Sequence, residues 1–151
     1  MGTLNKIGLS VFVSVLFLAL SVSAYAQCKS VVKDGIKKLS PYTHNGQVNN
    51  VTVKEGKPAE IHLSFYKGLY YKLQISSEES LGKVNFRVLD ENKKEVYNST
   101  TDGKSDFWNF YSNSSQDLIV EVIPSEKVKK GCVAVLVGMQ VPKSNNPIRN
   151  L

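Results

Sequence analysis

Few side chains in this 151-residue chain could do covalent or acid–base chemistry. It has two histidines, His44 and His62, so any catalytic triad would have to use one of them. His62 alternates with apolar residues along a strand-like run, and His44 lies in the segment Pro41-Tyr42-Thr43-His44-Asn45-Gly46. Neither is followed by the second histidine of a zinc-protease helix, and no nucleophile elbow, phosphate-cradling loop or dinucleotide fingerprint occurs. Glycoside hydrolysis needs two carboxylates held at a fixed separation. The pairs Glu78-Glu79, Asp90-Glu91 and Asp102 with Asp106 fall in polar, turn-rich stretches, where acids form turns or stay solvated. No catalytic residue and no cofactor is therefore assigned. A hard cation such as calcium would suit the oxygen-rich stretch of Asn98, Asp102 and Asp106, but its spacing is not that of a calcium loop. Asp102 and Asp106 are the weak metal candidates and no metal is expected.

The aromatic residues carry the more suggestive pattern. Phe107-Trp108-Asn109-Phe110-Tyr111 reads as a strand, and strand alternation sends Trp108 with Phe110 to one face and Phe107 with Tyr111 to the other. One pair must point away from the core whichever way the strand lies. Outward aromatics mark binding surfaces for sugar rings or partner proteins unless a helix or loop covers them. Tyr66, Tyr70, Trp108 and Tyr111 are the candidate binding residues.

Compartment follows from the first residues and the two cysteines. Lys6, the apolar run from Ile7 to Val22 and Ala24-Tyr25-Ala26 have the order of an export signal with its cleavage site. Residues 1–26 are expected to be removed, leaving 125 residues from Gln27, secreted or periplasmic, with no further stretch apolar enough to span a bilayer. An oxidising compartment favours a Cys28–Cys132 disulfide. Lipid attachment at Cys28 is the rival reading, although Gln27 stands where a lipobox has a small residue. The net charge of +6 falls to +5 with Lys6 gone. The basic pairs Lys37-Lys38, Lys93-Lys94 and Lys129-Lys130 are scattered, and an exported chain has little access to nucleic acid, so none is expected as a partner.

The elements that must position these residues follow from periodicity. Cys28, Val31, Val32, Ile36 and Leu39 recur at helical spacing, predicting an amphipathic helix over 28–39 that Gly35 weakens and Pro41 ends. Beyond it the period falls to two. Val51 and Val53 mark a short strand. Ala59 to Phe65 and Leu69 to Ile75 alternate cleanly around Tyr66-Lys67-Gly68 and read as a hairpin. Strands follow at Val84–Val88, Val96–Tyr97 and Phe107–Tyr111. Leu118–Ile123 and Val133–Met139 are apolar at nearly every position, which places them at sheet centres, covered on both sides. About eight short antiparallel strands with frequent turns predict an all-β sandwich, jelly-roll-like, over 27–141, with a flexible tail at 142–151.

Several segments also carry a resemblance. Pro41 to Gly46, Glu55 to Glu60, Lys67-Gly68-Leu69-Tyr70-Tyr71-Lys72-Leu73, Phe86 to Asp90 and Gly131 to Gly138 are similar to small secreted proteins of Bacteroidota of unsettled activity. The order of strands over about Val48 to Met139 resembles the pre-peptidase C-terminal type of β-sandwich, a non-catalytic module of secreted hydrolases. That resemblance implies a binding or accessory role. The function expected is a non-enzymatic secreted or periplasmic module acting by binding or structural support, with a glycan or another extracytoplasmic protein as partner. The alternatives are a carbohydrate-binding module using the outward aromatics, and a small hydrolase or protease inhibitor.

Overall fold

A computed structural model describes residues 23–102, 106–125 and 130–143. Most of the expected export signal and most of the C-terminal tail lie outside the described residues. Helix α1 (Ser23–Lys38) leads into β1 (Thr43–Lys54), β2 (Ala59–Phe65), β3 (Tyr70–Ser77), a single 3-10 turn (Glu79–Leu81), β4 (Asn85–Leu89), β5 (Glu95–Asn98), β6 (Phe107–Tyr111), β7 (Gln116–Ile123) and β8 (Lys130–Gln140).

The strands form two four-stranded antiparallel sheets. Sheet A has the order β1-β8-β3-β6 and sheet B the order β2-β7-β4-β5, the arrangement of a jelly roll. β7 and β8, the two strands apolar at nearly every position, lie at the sheet centres. Inward Leu118, Val120 and Val122 of β7 meet Val133, Val135 and Val137 of β8 in a core completed by Phe65, Tyr71, Leu73, Ile75, Phe86 and Val88. Full burial of each such side chain contributes roughly 1.5–3 kcal/mol. The outer face of β8 is covered as well, because Val31 and Leu39 from the helix side pack on Ala134 and Leu136.

Three expectations are corrected. The helix starts at Ser23 and ends at Lys38, and Ile36 is exposed. Its seat on the sheet is instead made at Gly35, where an added Cβ would lie 2.5 Å from Leu136 Cδ1 and 2.9 Å from Ser76 Cβ. Gly35 thus trades helix propensity for close approach. Second, β1 is twelve residues long and includes the polar stretch Thr43 to Asn50. As an edge strand paired only with β8, it needs no continuous apolar face.

Third, β2 and β3 do not form a hairpin. β2 pairs β7, β3 pairs β8 and β6, and residues 66–69 cross from one sheet to the other. Alternation is the same for strands lying side by side and strands facing each other across a core. Here Phe65 and Tyr71 face each other, ring edge to ring face at 4.9 Å, which fixes the crossing.

Cys28 and Cys132 form a disulfide, with Cα atoms 5.6 Å apart, tying α1 to β8. A bonded Cys28 leaves no thiol for a lipid thioether. No helix among the described residues is long and apolar enough to cross a membrane.

Candidate functional site: the aromatic end of the sandwich

On β3 the outward residues are Tyr70, Lys72, Gln74 and Ser76, and the register sets Tyr70 opposite Tyr111, Lys72 opposite Asn109 and Gln74 opposite Phe107. The helix covers this face row by row. Gly35 lies over Ser76, and Leu39 and Tyr42 lie over Gly138, the β8 partner of Lys72. The Lys72 ammonium donates to the Lys38 carbonyl at the C-terminal end of α1, a favourable place for a cation, and sits 4.9 Å from the Phe107 ring centroid. The helix ends at this row. The next one out, Tyr70 and Tyr111, lies beyond the helix: the residues are 44% and 43% exposed and their rings lie 4.9 Å apart at an angle of 52°.

Tyr66 belongs to the same end of the molecule, four residues before Tyr70 and 67% exposed. Its backbone is held from several sides. The buried Tyr71 hydroxyl accepts a hydrogen bond from the Tyr66 N–H at 2.9 Å. The Lys67 N–H donates to Ser115 Oγ at 3.1 Å and the Gly68 N–H to the Ser112 carbonyl at 2.8 Å. The Ser112 N–H in turn donates to the Leu69 carbonyl at 3.0 Å. The short crossover is therefore bound to the β6–β7 turn, and an exposed aromatic on a fixed backbone loses little freedom on binding. Beside Tyr66 lies a recess of about 380 Å³, lined by Ser64, Phe65, Tyr66, Glu91, Ser115, Gln116 and Asp117.

Of the four aromatic candidates the structure places Tyr66, Tyr70 and Tyr111 at this end, facing solvent. Trp108 points inward, stacked on Phe110 at 4.1 Å and on Tyr97 at 5.1 Å. Three positions separate Trp108 from Tyr111, so the two occupy opposite faces of β6.

The weak calcium candidates have other roles. Asp106 pairs with Lys38 at 3.6 Å, and its carbonyl accepts from the Ile75 N–H and from Gln74 Nε2. Asn98 Oδ1 accepts from the backbone and hydroxyl of Thr100. Asp102 acts on buried Tyr97, whose hydroxyl is pushed up to about 12, first by burial and then by the charge and hydrogen bonding of Asp102 and the charge of Asp106. Among the described residues no group of three or more His, Cys, Asp or Glu side chains stands together as a metal site. His44 Nε2 is 3.0 Å from the Gln47 carbonyl, and His62 is 4.0 Å from Glu60.

The outer face of sheet B carries a residue that apolar patterning passes over. Glu121 sits inside the β7 run and is 7% exposed, opposite Glu60 on one side and Arg87 on the other. Arg87 donates to it and also lies 3.9 Å from Glu95, while Lys93 reaches Glu60 at 3.1 Å. The bond to Glu121, ahead of the opposing cost of burial, raises the Arg87 pKa above its ordinary value. An acid inside an apolar run, one strand away from an arginine, is the sequence signal for such a pair. A polar groove of about 610 Å³ between α1 and the end of β3 is lined in part by Asp34 and Glu78. Asp34 is paired with Lys37, and Glu78 accepts from the Cys132 N–H and the Ser80 hydroxyl.

No protein-family model matches the chain, and no curated protein matches it. Among solved structures it is similar to the crystal structure of Aeromonas hydrophila PliG, a periplasmic lysozyme inhibitor of g-type lysozyme. The TM-score is 0.48 at 12% identity, over 66% of this chain and 89% of that one.

Proposed function

We propose that this protein is a non-enzymatic secreted or periplasmic module that binds a glycan or another extracytoplasmic protein through the aromatic end of its sandwich. The observation that carries this reading is the Tyr70–Tyr111 pair, two large rings side by side and exposed just beyond the last row the helix covers. Exposed aromatic pairs in rigid surroundings are the usual anchors of binding interfaces.

The test is calorimetric titration against an oligosaccharide panel and a panel of secreted hydrolases, with the Tyr70→Ala/Tyr111→Ala double variant as control. A partner of this end should bind the variant about tenfold or more weakly at unchanged melting temperature. A partner that binds both proteins equally contacts some other surface.

A second reading, inhibition of a secreted hydrolase, is favoured by the Tyr66 crossover. A prominent side chain on a short backbone held from several sides suits insertion into an enzyme cleft. Loss of hydrolase activity on adding the protein, relieved by Tyr66→Ala, would support it.

A further inference from the structure

We propose that the recess beside Tyr66 is a subsite for a single neutral or amino-sugar ring. The inference rests on the aromatic end being the binding surface and assigns the chemistry of one part of it. Ser64 and Asp117 face each other across the β2–β7 pair, and Tyr66, just past the end of β2, lines the recess with them. Glu91, from the β4–β5 turn, Ser115, from the β6–β7 turn, and Gln116, the first residue of β7, complete the polar lining.

The composition selects the ligand class. A pyranose has flat patches of C–H bonds and a rim of hydroxyls. It therefore needs one aromatic wall and several hydrogen-bonding groups of both kinds. Tyr66 supplies the wall. Glu91 and Asp117 accept, while Ser64, Ser115 and Gln116 can both donate and accept. A purely apolar ligand would strip water from two carboxylates without replacing their hydrogen bonds. A sulfated or uronic sugar would meet both negative charges, and Lys67 is not among the lining residues that could offset them. The volume of about 380 Å³ lies at the small end of ligand sites, matching one ring with the rest of a chain outside. The hydrogen bonds that the Tyr66 and Lys67 N–H groups donate to the Tyr71 and Ser115 hydroxyls fix the backbone on which the wall stands, so the subsite exists before the ligand arrives.

The test titrates the intact mature protein with chitotetraose, cellotetraose and tetragalacturonate, followed by amide NMR shifts and calorimetry. At least one neutral or amino-sugar tetramer should bind, with the largest shifts at residues 64–68 and 113–117. Tyr66→Ala and Asp117→Ala should each weaken it by about tenfold or more, and Tyr111→Ala by less than about twofold. Tetragalacturonate should not bind. Both variants change exposed positions, and unchanged thermal melts would establish that they fold. A saccharide lost on Tyr70→Ala or Tyr111→Ala but kept by Tyr66→Ala would overturn the subsite and leave the aromatic end as the binding surface. No saccharide binding up to about 10 mM, or binding of tetragalacturonate as tight as the others, would also overturn it. A protein partner lost on Tyr111→Ala would then still support the wider reading.

Discussion

Gly35 in α1 and Leu136 in β8 meet backbone to side chain, with room for a hydrogen at position 35 and none for a methyl group. A helix considered alone would gain about 1 kcal/mol from Gly35→Ala. Seated on this sheet, the same change must push the helix off Leu136 and Ser76, so a net destabilisation of about 1–3 kcal/mol is expected. Urea denaturation of the variant measures it. A stabilised variant would mean that the helix does not rest there.

The Cys28–Cys132 bond closes a loop spanning 104 positions, most of the described residues. In the chain-entropy description a crosslink of that length stabilises by about 4–5 kcal/mol. The Cys28→Ser/Cys132→Ser double variant, melted beside the oxidised protein, should show a loss of that order, and adding reductant to the variant should change nothing further.

Tyr97 gives a pH dependence with a definite sign. Its hydroxyl releases its proton near pH 10 when unfolded and only at about 12 when folded, so the folded state holds the proton more tightly between those values. The associated stability is complete below pH 10 and is lost as pH rises to 12, up to about 2–3 kcal/mol. Tyr97→Phe should flatten that part of the stability profile relative to the unmodified protein. Equal slopes in the two proteins would contradict the assignment.

Tyr71→Phe removes the hydroxyl that holds the Tyr66 backbone while leaving the ring packed on Phe65 and Phe110. It should cost about 1–2 kcal/mol of stability. Amide exchange at Tyr66 should speed up, and any ligand that touches Tyr66 should bind several-fold more weakly despite contacting no altered atom. A ligand confined to Tyr70 and Tyr111 would be insensitive to it.

The sequence revealed the elements more readily than their neighbours. Continuous apolar runs placed β7 and β8 at sheet centres, but the expected cover on both sides holds for β8 alone: the helix packs on Ala134 and Leu136, whereas the outward Glu121 of β7 is shielded by its strand neighbours Glu60 and Arg87. Ala59 to Phe65 was legible as a half-covered strand from its alternation. Alternation says which way a side chain points and nothing about which strand lies alongside, so β2 and β3 looked paired although they belong to different sheets. It also required half of Phe107 to Tyr111 to face outward without saying which half. The stack of Trp108 between Tyr97 and Phe110 decides that, and Tyr97 is eleven residues away from Trp108 on another strand. Glu121 was hidden by its apolar neighbours, since its justification is Arg87 on the next strand.

β8 holds β1 and β3 together, receives the helix on its outer face and carries one end of the disulfide. It is also the last strand in sequence among the described residues. Until residues 130–140 emerge, β1 has no strand to lie against, the helix has no surface to rest on and Cys28 has no bonding partner. Sheet A therefore cannot assemble before β8 is available, and a chain lacking β8 would lose the centre of that sheet rather than an edge. Folding that depends on contacts so distant in sequence is intrinsically slow.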